Sequence, residues 1–285
     1  MKKGQKIIRN IFIVPVILYS LLLIALPIIY ILIISFYKND SYGGMIREFT
    51  LNNYVSIFNS VYVGIFLKSF LIAIITMVLC MLISYPFALA VSHKNKKLQS
   101  IFMTLVMVPF LTNSLIRMYG WIVLLRKNGV INQVLLSLNI IKNPLNLMYN
   151  NLGIIIGMVY TLLPFMILPL YSAISTIDYR LLEASADLGA TRWNTFKKVI
   201  LPITFPALFN GGLMVFTPAL GFFFIVDLLG GGKIMILGNL IKNQFLTARN
   251  WPFGAAIAIL LIIITYILIM IYRKIGGKMD DLGGF

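Results

Sequence analysis

Side chains able to carry acid–base, nucleophilic or metal chemistry are scarce in this sequence. The single histidine, His93, stands in a basic loop beside Lys94, and the single cysteine, Cys80, lies inside an apolar run. A protein metal site needs several His, Cys or carboxylate ligands at suitable spacing, and the sequence has no such cluster. Asp227 is the one carboxylate expected within an apolar span. We therefore predict no catalytic residue, no metal and no directly bound cofactor.

The glycine run at 230–232, which precedes Lys233, comes nearest to a phosphate-binding loop. Such a loop requires the pattern G-x-x-x-x-G-K-[ST]. Here Asp227 stands where the first Gly is needed, and Ile234 stands where the hydroxyl residue is needed. The motif fails, so ATP hydrolysis must come from a partner subunit if this chain is driven by ATP.

The composition is typical of a membrane protein. The chain has 285 residues, of which 60% are hydrophobic and 11% are charged, whereas soluble domains have about 25% charged residues. The net charge is +16, but the basic residues flank the apolar blocks, which favours a membrane topology signal over nucleic-acid binding. We expect an all-α polytopic membrane protein that contacts lipid and binds no nucleic acid.

Six apolar spans are predicted within a single transmembrane domain over 1–285, each long enough to cross about 30 Å of hydrocarbon. They run approximately over 11–36, 64–91, 100–122, 152–174, 204–229 and 253–272. If both termini are cytoplasmic, 14 Lys and Arg residues fall on the cytoplasmic side and nine on the other. This bias favours that orientation. The first apolar stretch is too long for a cleaved signal peptide.

The orientation places one compact polar segment, the loop 175–203, in the cytoplasm. It contains the stretch EASADLGATRWNTFKKVILP. Asp178 is suited to cap a first helix, and Gly189 to end it with a left-handed residue. Thr191 can then cap a second helix that returns to the membrane at Pro202. The first helix carries mostly acidic and small residues, which favours docking into a protein groove over lying on lipid.

The spacing in this segment resembles the motif of the permease subunits of ABC importers: E-A-A, three residues, Gly, nine residues, then I-x-L-P. In this chain Ser185 replaces the third-position Ala, and Val199 replaces the Ile. In that family the motif forms the coupling helix, which fits a cleft in the ATPase subunit. The resemblance assigns ATPase coupling to Glu183, Ala184, Ser185, Asp187, Leu188, Gly189, Leu201 and Pro202.

Other stretches resemble the permeases of spermidine/putrescine ABC importers, in particular the B-type subunit of the B/C pair, over nearly the whole chain. They are LNNY (51–54), TNSLIRMYGW (112–121), YTLLPFMILPLYS (160–172), DLLGGGK (227–233) and NWPFGAA (250–256). The resemblance implies the six-helix type I ABC importer permease fold, forming half of a translocation pathway in the bacterial inner membrane. The implied partners are a homologous second permease subunit, two ATPase subunits that hold ATP and Mg, and an extracytoplasmic polyamine-binding protein.

The path of a polyamine, a flexible polycation, should offer carboxylates and aromatic faces to ammonium groups. Asp227 is the candidate carboxylate, and a structural ion pair with Arg117 or Lys233 is the alternative. We expect Arg117 itself to hold helices together through a carboxylate or freed backbone carbonyls. The candidate aromatic residues, each alternatively a packing or membrane-interface residue, are Tyr119, Trp121, Tyr160, Phe222, Phe223 and Phe224.

Three alternative functions stay open. The same architecture could carry another small solute, such as an oxyanion, thiamine or iron. A free-standing secondary transporter would need an ion-coupling site, commonly built on repeated halves, and no clear internal repeat is seen. A polytopic membrane enzyme would need a catalytic constellation, which these residues do not supply.

Overall fold

The computed structural model describes residues 13–40 and 43–274. The predicted start of the first span at residue 11, and the expected location of the two termini, lie outside these residues. In chain order the helices are α1 (Ile13–Ile34), α2 (Asn52–Ile57), α3 (Ser60–Ser92), α4 (Lys96–Phe110), α5 (Ser114–Leu125), α6 (Val130–Ser137), α7 (Asn151–Ser175), α8 (Tyr179–Asp187), α9 (Arg192–Gly221), α10 (Phe223–Gly230), α11 (Leu237–Leu246) and α12 (Trp251–Lys274). Strands β1 (Tyr37–Asn39) and β2 (Met45–Phe49) pair antiparallel.

In the described part of the chain, five helices are long and apolar enough to cross a membrane: α1, α3, α7, α9 and α12. A sixth span is present if the strongly bent pair Lys96–Phe110 and Ser114–Ser137 is counted as one span. Within the bilayer only helices and closed barrels satisfy every backbone hydrogen bond, so long apolar helices are the expected elements. The all-α polytopic membrane fold predicted from the sequence is confirmed.

Two predicted spans are interrupted. The span predicted at 100–122 is divided between α4 and α5, and the chain bends there by 92°. The bend has a local cause, since the hydroxyl of Thr112 donates to the carbonyl of Pro109 at 2.7 Å. The side chain of Asn113 then caps α5 by accepting from the backbone N–H of Leu115 at 2.8 Å. The span predicted at 204–229 is likewise divided, because α9 ends at Gly221 and α10 begins at Phe223.

Within residues 13–40 and 43–274, wide, π-helical turns occur twice, and each stands immediately before a Leu-Pro pair. Leu21–Ala25 precedes Pro27 in α1, and Phe196–Ile200 precedes Pro202 in α9. Proline lacks a backbone N–H and its ring crowds the carbonyl four residues earlier. A turn with bonds between residues five apart makes room for the ring, as in the bond from the Leu201 N–H to the carbonyl of Phe196.

The chain divides into two compact units. The first comprises Met1–Val63 and Leu240–Ile263, and the second comprises Gly64–Asn239 and Ile264–Phe285. In the first unit, the stretch 37–63 between the first two predicted spans contains the β-hairpin and α2. The chain reverses at Gly43–Gly44, where both residues have positive φ. The buried amide of Asn53 donates to the carbonyls of Ser35 and Tyr37, which fixes α2 against the hairpin's start.

Helix α7 is the scaffold of the second unit. One face of it is fully buried, with residues at every fourth position: Ile154, Met158, Leu162, Met166 and Leu170. Helix α9 packs on this helix at Gly211, where an added Cβ would lie only 3.3 Å from the Cα of Met166. Small residues allow helix backbones in membranes to approach closely. Helix α7 therefore holds α9, which begins in the polar segment, in a fixed position.

Candidate functional site

The polar segment, residues 178–202, folds as its sequence predicts. A carboxylate oxygen of Asp178 accepts from the backbone N–H of Arg180 at 3.0 Å and caps α8. Gly189 follows the helix with φ +74°, in the left-handed region. The hydroxyl of Thr191 accepts from the N–H of Asn194 at 3.3 Å and caps α9. Both caps and the glycine turn are confirmed.

Among residues 180–187 of α8, whose burial the structure describes, Ser185 is the buried one, although it departs from the Ala of the family motif. Its hydroxyl donates to the carbonyl of Leu182 at 2.8 Å and lies 2.9 Å from the hydroxyl of Thr195. Because the Ser185 proton goes to Leu182, Thr195 is the donor in the second bond. Alanine would lack both bonds. The substitution thus ties α8 directly to the first turns of α9.

The outward surface of the segment combines acidic and large apolar side chains. Glu183 and Asp187 are exposed. On the same segment Leu188 is 88% exposed, Trp193 is 68% exposed and Leu181 is 48% exposed. Several exposed large apolar side chains on one short segment are typical of a protein-binding surface. Among the other residues predicted for coupling, Ala184, Gly189 and Pro202 are exposed and Leu201 is half-buried.

Asp227 lies in α10 and is held by an amide that sequence reasoning missed. One of its carboxylate oxygens accepts from the Nδ2 of Asn239 at 2.6 Å. The same amide donates to the carbonyl of Phe223, the first residue of α10, at 3.2 Å. Asn239 is buried in α11. No sequence signal pointed to it, since the stretch 230–252 was interpreted as a loop.

Arg117 is surrounded by aromatic rings. Its guanidinium carbon lies 5.9 Å from the ring centre of Phe110 and 5.8 Å from that of Tyr160. Its Nη2 donates to the hydroxyl of Ser114 at 3.2 Å. These contacts link α4, α5 and α7 through cation–π attraction. The expected role in holding helices together fits, but the partners in the described part of the chain are rings and a hydroxyl, not a carboxylate.

The predicted aromatic path residues form two groups. Trp121 packs edge-on against Tyr160 at 5.3 Å between ring centres, beside Arg117. Phe222, at the α9–α10 break, lies 5.5 Å from Phe224, and Phe223 adjoins the same ring. Tyr119 belongs to neither group. It is 59% exposed, because position 119 lies on a different face of α5 from positions 117 and 121.

A cavity of about 860 Å³ opens between α4, α7 and α9. Its walls include Phe165, Pro169, Tyr171, Pro206 and Met214. The size suits a small ligand, and the lining is mostly apolar. None of the predicted path residues is among its lining residues, so the sequence did not indicate it.

The class of protein follows from the comparison with known families. The family described as binding-protein-dependent transport system inner membrane component matches residues 84–281. The chain belongs to this family and is therefore a transporter component rather than an enzyme. The match covers the polar segment, both interrupted spans and the α10–α11 region.

Individual relatives are similar to this chain over most of its length. The chain is 43% identical to the spermidine/putrescine transport system permease protein PotB of Haemophilus influenzae over 95% of its own length and 96% of the relative. It is 41% identical to the protein of the same name from Escherichia coli K12, over 92% and 95% of the two chains. It is 29% identical to the E. coli inner membrane ABC transporter permease protein YdcU, over 85% and 82%.

Solved structures support the fold. A bacterial ABC transporter involved in the import of the acidic polysaccharide alginate matches with a TM-score of 0.74, over 95% of this chain and 98% of that one. A methionine ABC transporter, MetNI, in inward-facing conformations matches with a TM-score of 0.51 over 76% of this chain. Sequence identities are 16% and 18%, so these structures speak for the fold alone.

The left-handed turn at Gly189 can be tested by substitution. Gly189→Ala should strain it, because a Cβ disfavours this φ by about 1–2 kcal/mol, although the added atom would meet no neighbour within 4 Å. Gly189→Asn should be milder, since Asn tolerates the left-handed region. We expect tryptic cleavage at Arg180 or Arg192 to be about fivefold faster in Gly189→Ala, measured by limited proteolysis with mass spectrometry. Equal cleavage rates in the wild type and both variants would contradict the turn's importance.

Proposed function

We propose that this chain forms half of the membrane pathway of an ATP-driven polyamine importer, and that residues 178–202 couple it to an ATPase subunit. The observation that carries the proposal is the conjunction of near full-length identity to spermidine/putrescine permeases with this segment's geometry. Two capped helices, joined by the Ser185–Thr195 bond, present an exposed surface on a scaffold that continues into a membrane-crossing helix.

The coupling surface suits a protein cleft. Exposed apolar area that water does not stabilise is supplied by Leu181, Leu188 and Trp193. Charge that can select and orient a partner is supplied by Glu183 and Asp187. Burial of the three apolar side chains would be worth roughly 1.5–3 kcal/mol each before the costs of association. The partner that fits is an ATPase subunit, because the sequence does not contain a complete phosphate-binding loop of its own.

Membership in the family supports the remaining subunits of the proposed importer. A homologous second permease completes the pathway, two ATPase subunits hold ATP and Mg, and an extracytoplasmic protein delivers the polyamine. A relative in fold is known in complex with an alginate pentasaccharide-bound periplasmic protein. The Lys and Arg bias supports a cytoplasmic location for both termini and for the polar segment of this chain. The stretch 123–151 then faces the opposite side.

The substrate assignment rests on the relatives and on the chemistry of two groups. Asp227, beside the phenylalanines at the α9–α10 break, supplies a carboxylate that can meet an ammonium ion. Trp121 and Tyr160 supply aromatic faces. Carboxylates and rings are the groups that a polycation needs, and they suit an oxyanion poorly. Arg117 already occupies one face of Tyr160, so Trp121 is the more accessible ring of that pair for a substrate.

Charge reversal at Glu183 tests the coupling surface. Glu183→Lys should reduce co-purification of the ATPase subunit by about tenfold or more, because a like charge or an unpaired buried charge in an interface costs several kcal/mol. The matched control is Glu48→Lys on β2, where the lost Lys38 contact at 3.3 Å is exposed and contributes little. We expect normal co-purification there. Full ATPase binding by Glu183→Lys at wild-type expression would remove the coupling role.

Removal of the charge at Asp227 tests the substrate path. Asp227→Asn keeps the size of the side chain but removes a charge-assisted bond to an ammonium group, so spermidine uptake should require about tenfold more substrate. Asp227→Glu should restore part of the uptake. The measurement is uptake by proteoliposomes that contain the complete complex, with the binding protein supplied. Unchanged uptake in Asp227→Asn would exclude Asp227 from the path.

The same vesicles separate polyamines from the alternative solutes. Spermidine and putrescine should stimulate ATP hydrolysis through the loaded binding protein, and an oxyanion, thiamine or ferric iron should not. Stimulation by one of the alternative solutes alone would keep the architecture and overturn the substrate.

A further inference from the structure

Tyr85 of α3 contacts the first residue of the wide turn in α9 directly and reaches the last residue through Thr204. Its ring packs edge-on against Phe196, the first residue of that turn, at 5.3 Å between ring centres. Its hydroxyl lies 2.5 Å from the hydroxyl of Thr204. Thr204 in turn donates to the carbonyl of Ile200, the last residue of the turn, at 2.8 Å. A single side chain on a different helix therefore brackets the whole turn.

The direction of the hydrogen bonds follows from the number of protons that each hydroxyl group can donate. A threonine hydroxyl has one proton, and the proton of Thr204 is directed to Ile200. Tyr85 must then donate to Thr204, which gives a chain from the phenol through the threonine to the backbone of the turn. Thr204 is fully buried and Tyr85 is only 7% exposed. Buried, consecutive hydrogen bonds of this kind strengthen one another and hold a defined geometry.

The wide turn 196–200 lies between α8 and the rest of α9. A displacement of the polar segment must therefore pass through this turn to reach the membrane-crossing part of α9. The bond between Ser185 and Thr195 joins α8 to the residue immediately before the turn. The rest of α9 follows the turn and packs on α7. A π-helical turn departs from the regular hydrogen bonds of the α-helix, and such turns frequently lie at functional sites. Left unsupported, such a turn would absorb a displacement of α8 rather than transmit it.

We propose that Tyr85 is a positioning residue for energy coupling: it braces the wide turn 196–200, so that displacement of residues 178–195 moves α3 and the remainder of α9 together. This inference rests on the coupling role proposed above for that segment. Tyr85 contacts neither nucleotide nor substrate in this account. It acts through Phe196 and through the hydroxyl of Thr204.

The decisive variant is Tyr85→Phe, which keeps the ring on Phe196 and removes only the hydroxyl. The readout is the number of ATP molecules hydrolysed for each solute molecule imported by the complete complex in proteoliposomes. We expect this ratio to rise about fivefold or more, because a lost coupling of this kind is typically worth a factor of five upward. Binding-protein-stimulated hydrolysis should continue. A purely structural role would lower hydrolysis and import together and leave the ratio unchanged, which would overturn the proposal.

The matched control is Tyr54→Phe. Tyr54 makes the same kind of bond, 2.7 Å from its hydroxyl to that of Ser35, in a part of the chain remote in sequence from the polar segment. This control should leave the ratio within about twofold of the wild type. An equal rise in Tyr54→Phe would show that loss of any tyrosine hydroxyl bond uncouples the complex, and would overturn the specific role of Tyr85.

A double-mutant cycle tests the relay itself. Thr204→Val removes the acceptor of the Tyr85 proton and the bond to Ile200, so it should raise the ratio as well. If Tyr85 acts through Thr204, the double variant should be no worse than Thr204→Val alone. Additive increases would contradict the relay.

Two outcomes distinguish this inference from the proposed function. If Glu183→Lys abolishes ATPase binding while Tyr85→Phe leaves the ratio unchanged, the coupling surface stands and the brace is wrong. If Glu183→Lys binds the ATPase normally, the coupling surface is wrong, and the inference falls with it.

Discussion

Backbone hydrogen bonding inside the bilayer is the constraint on which this structure depends. Each N–H and C=O group in hydrocarbon must find a partner within the protein, yet the spans contain prolines and breaks that leave such groups open. The structure meets the constraint locally. Thr112 bonds the carbonyl of Pro109 at the α4–α5 bend. The wide turn before Pro202 redirects a bond to the carbonyl of Phe196.

Polar groups that the functional proposals use lie next to these interruptions of the helices. The amide of Asn239 donates both to the Phe223 carbonyl at the start of α10 and to the carboxylate of Asp227, so it holds the candidate substrate contact against the first turn of that helix. The wide turn that precedes Pro202 is likewise the turn that Tyr85 brackets. In both places, an interruption in a helix lies next to a side chain that the functional proposals use.

Sequence reasoning succeeded where the determining contacts are short in range. The caps at Asp178 and Thr191 and the turn at Gly189 each depend on residues within four positions, so residue type and spacing predict them. Contacts between distant residues were out of reach: Tyr85 and Thr204 are 119 residues apart. The bend after α4 was hidden because hydropathy hardly distinguishes one straight span from two helices at an angle. The importance of Ser185 was missed since the motif presented it only as a replacement for Ala.

The most direct test of the central claim is site-specific photo-crosslinking from position 188 in the complete complex. The native cysteine, Cys80, is buried, so a single exposed cysteine introduced as Leu188→Cys can carry a benzophenone label. Position 138, in the stretch assigned to the opposite side and 62% exposed, provides the comparison as Leu138→Cys. The account predicts a crosslink to the ATPase subunit from position 188 and none from position 138. A crosslink to the ATPase subunit from position 138 alone would contradict it.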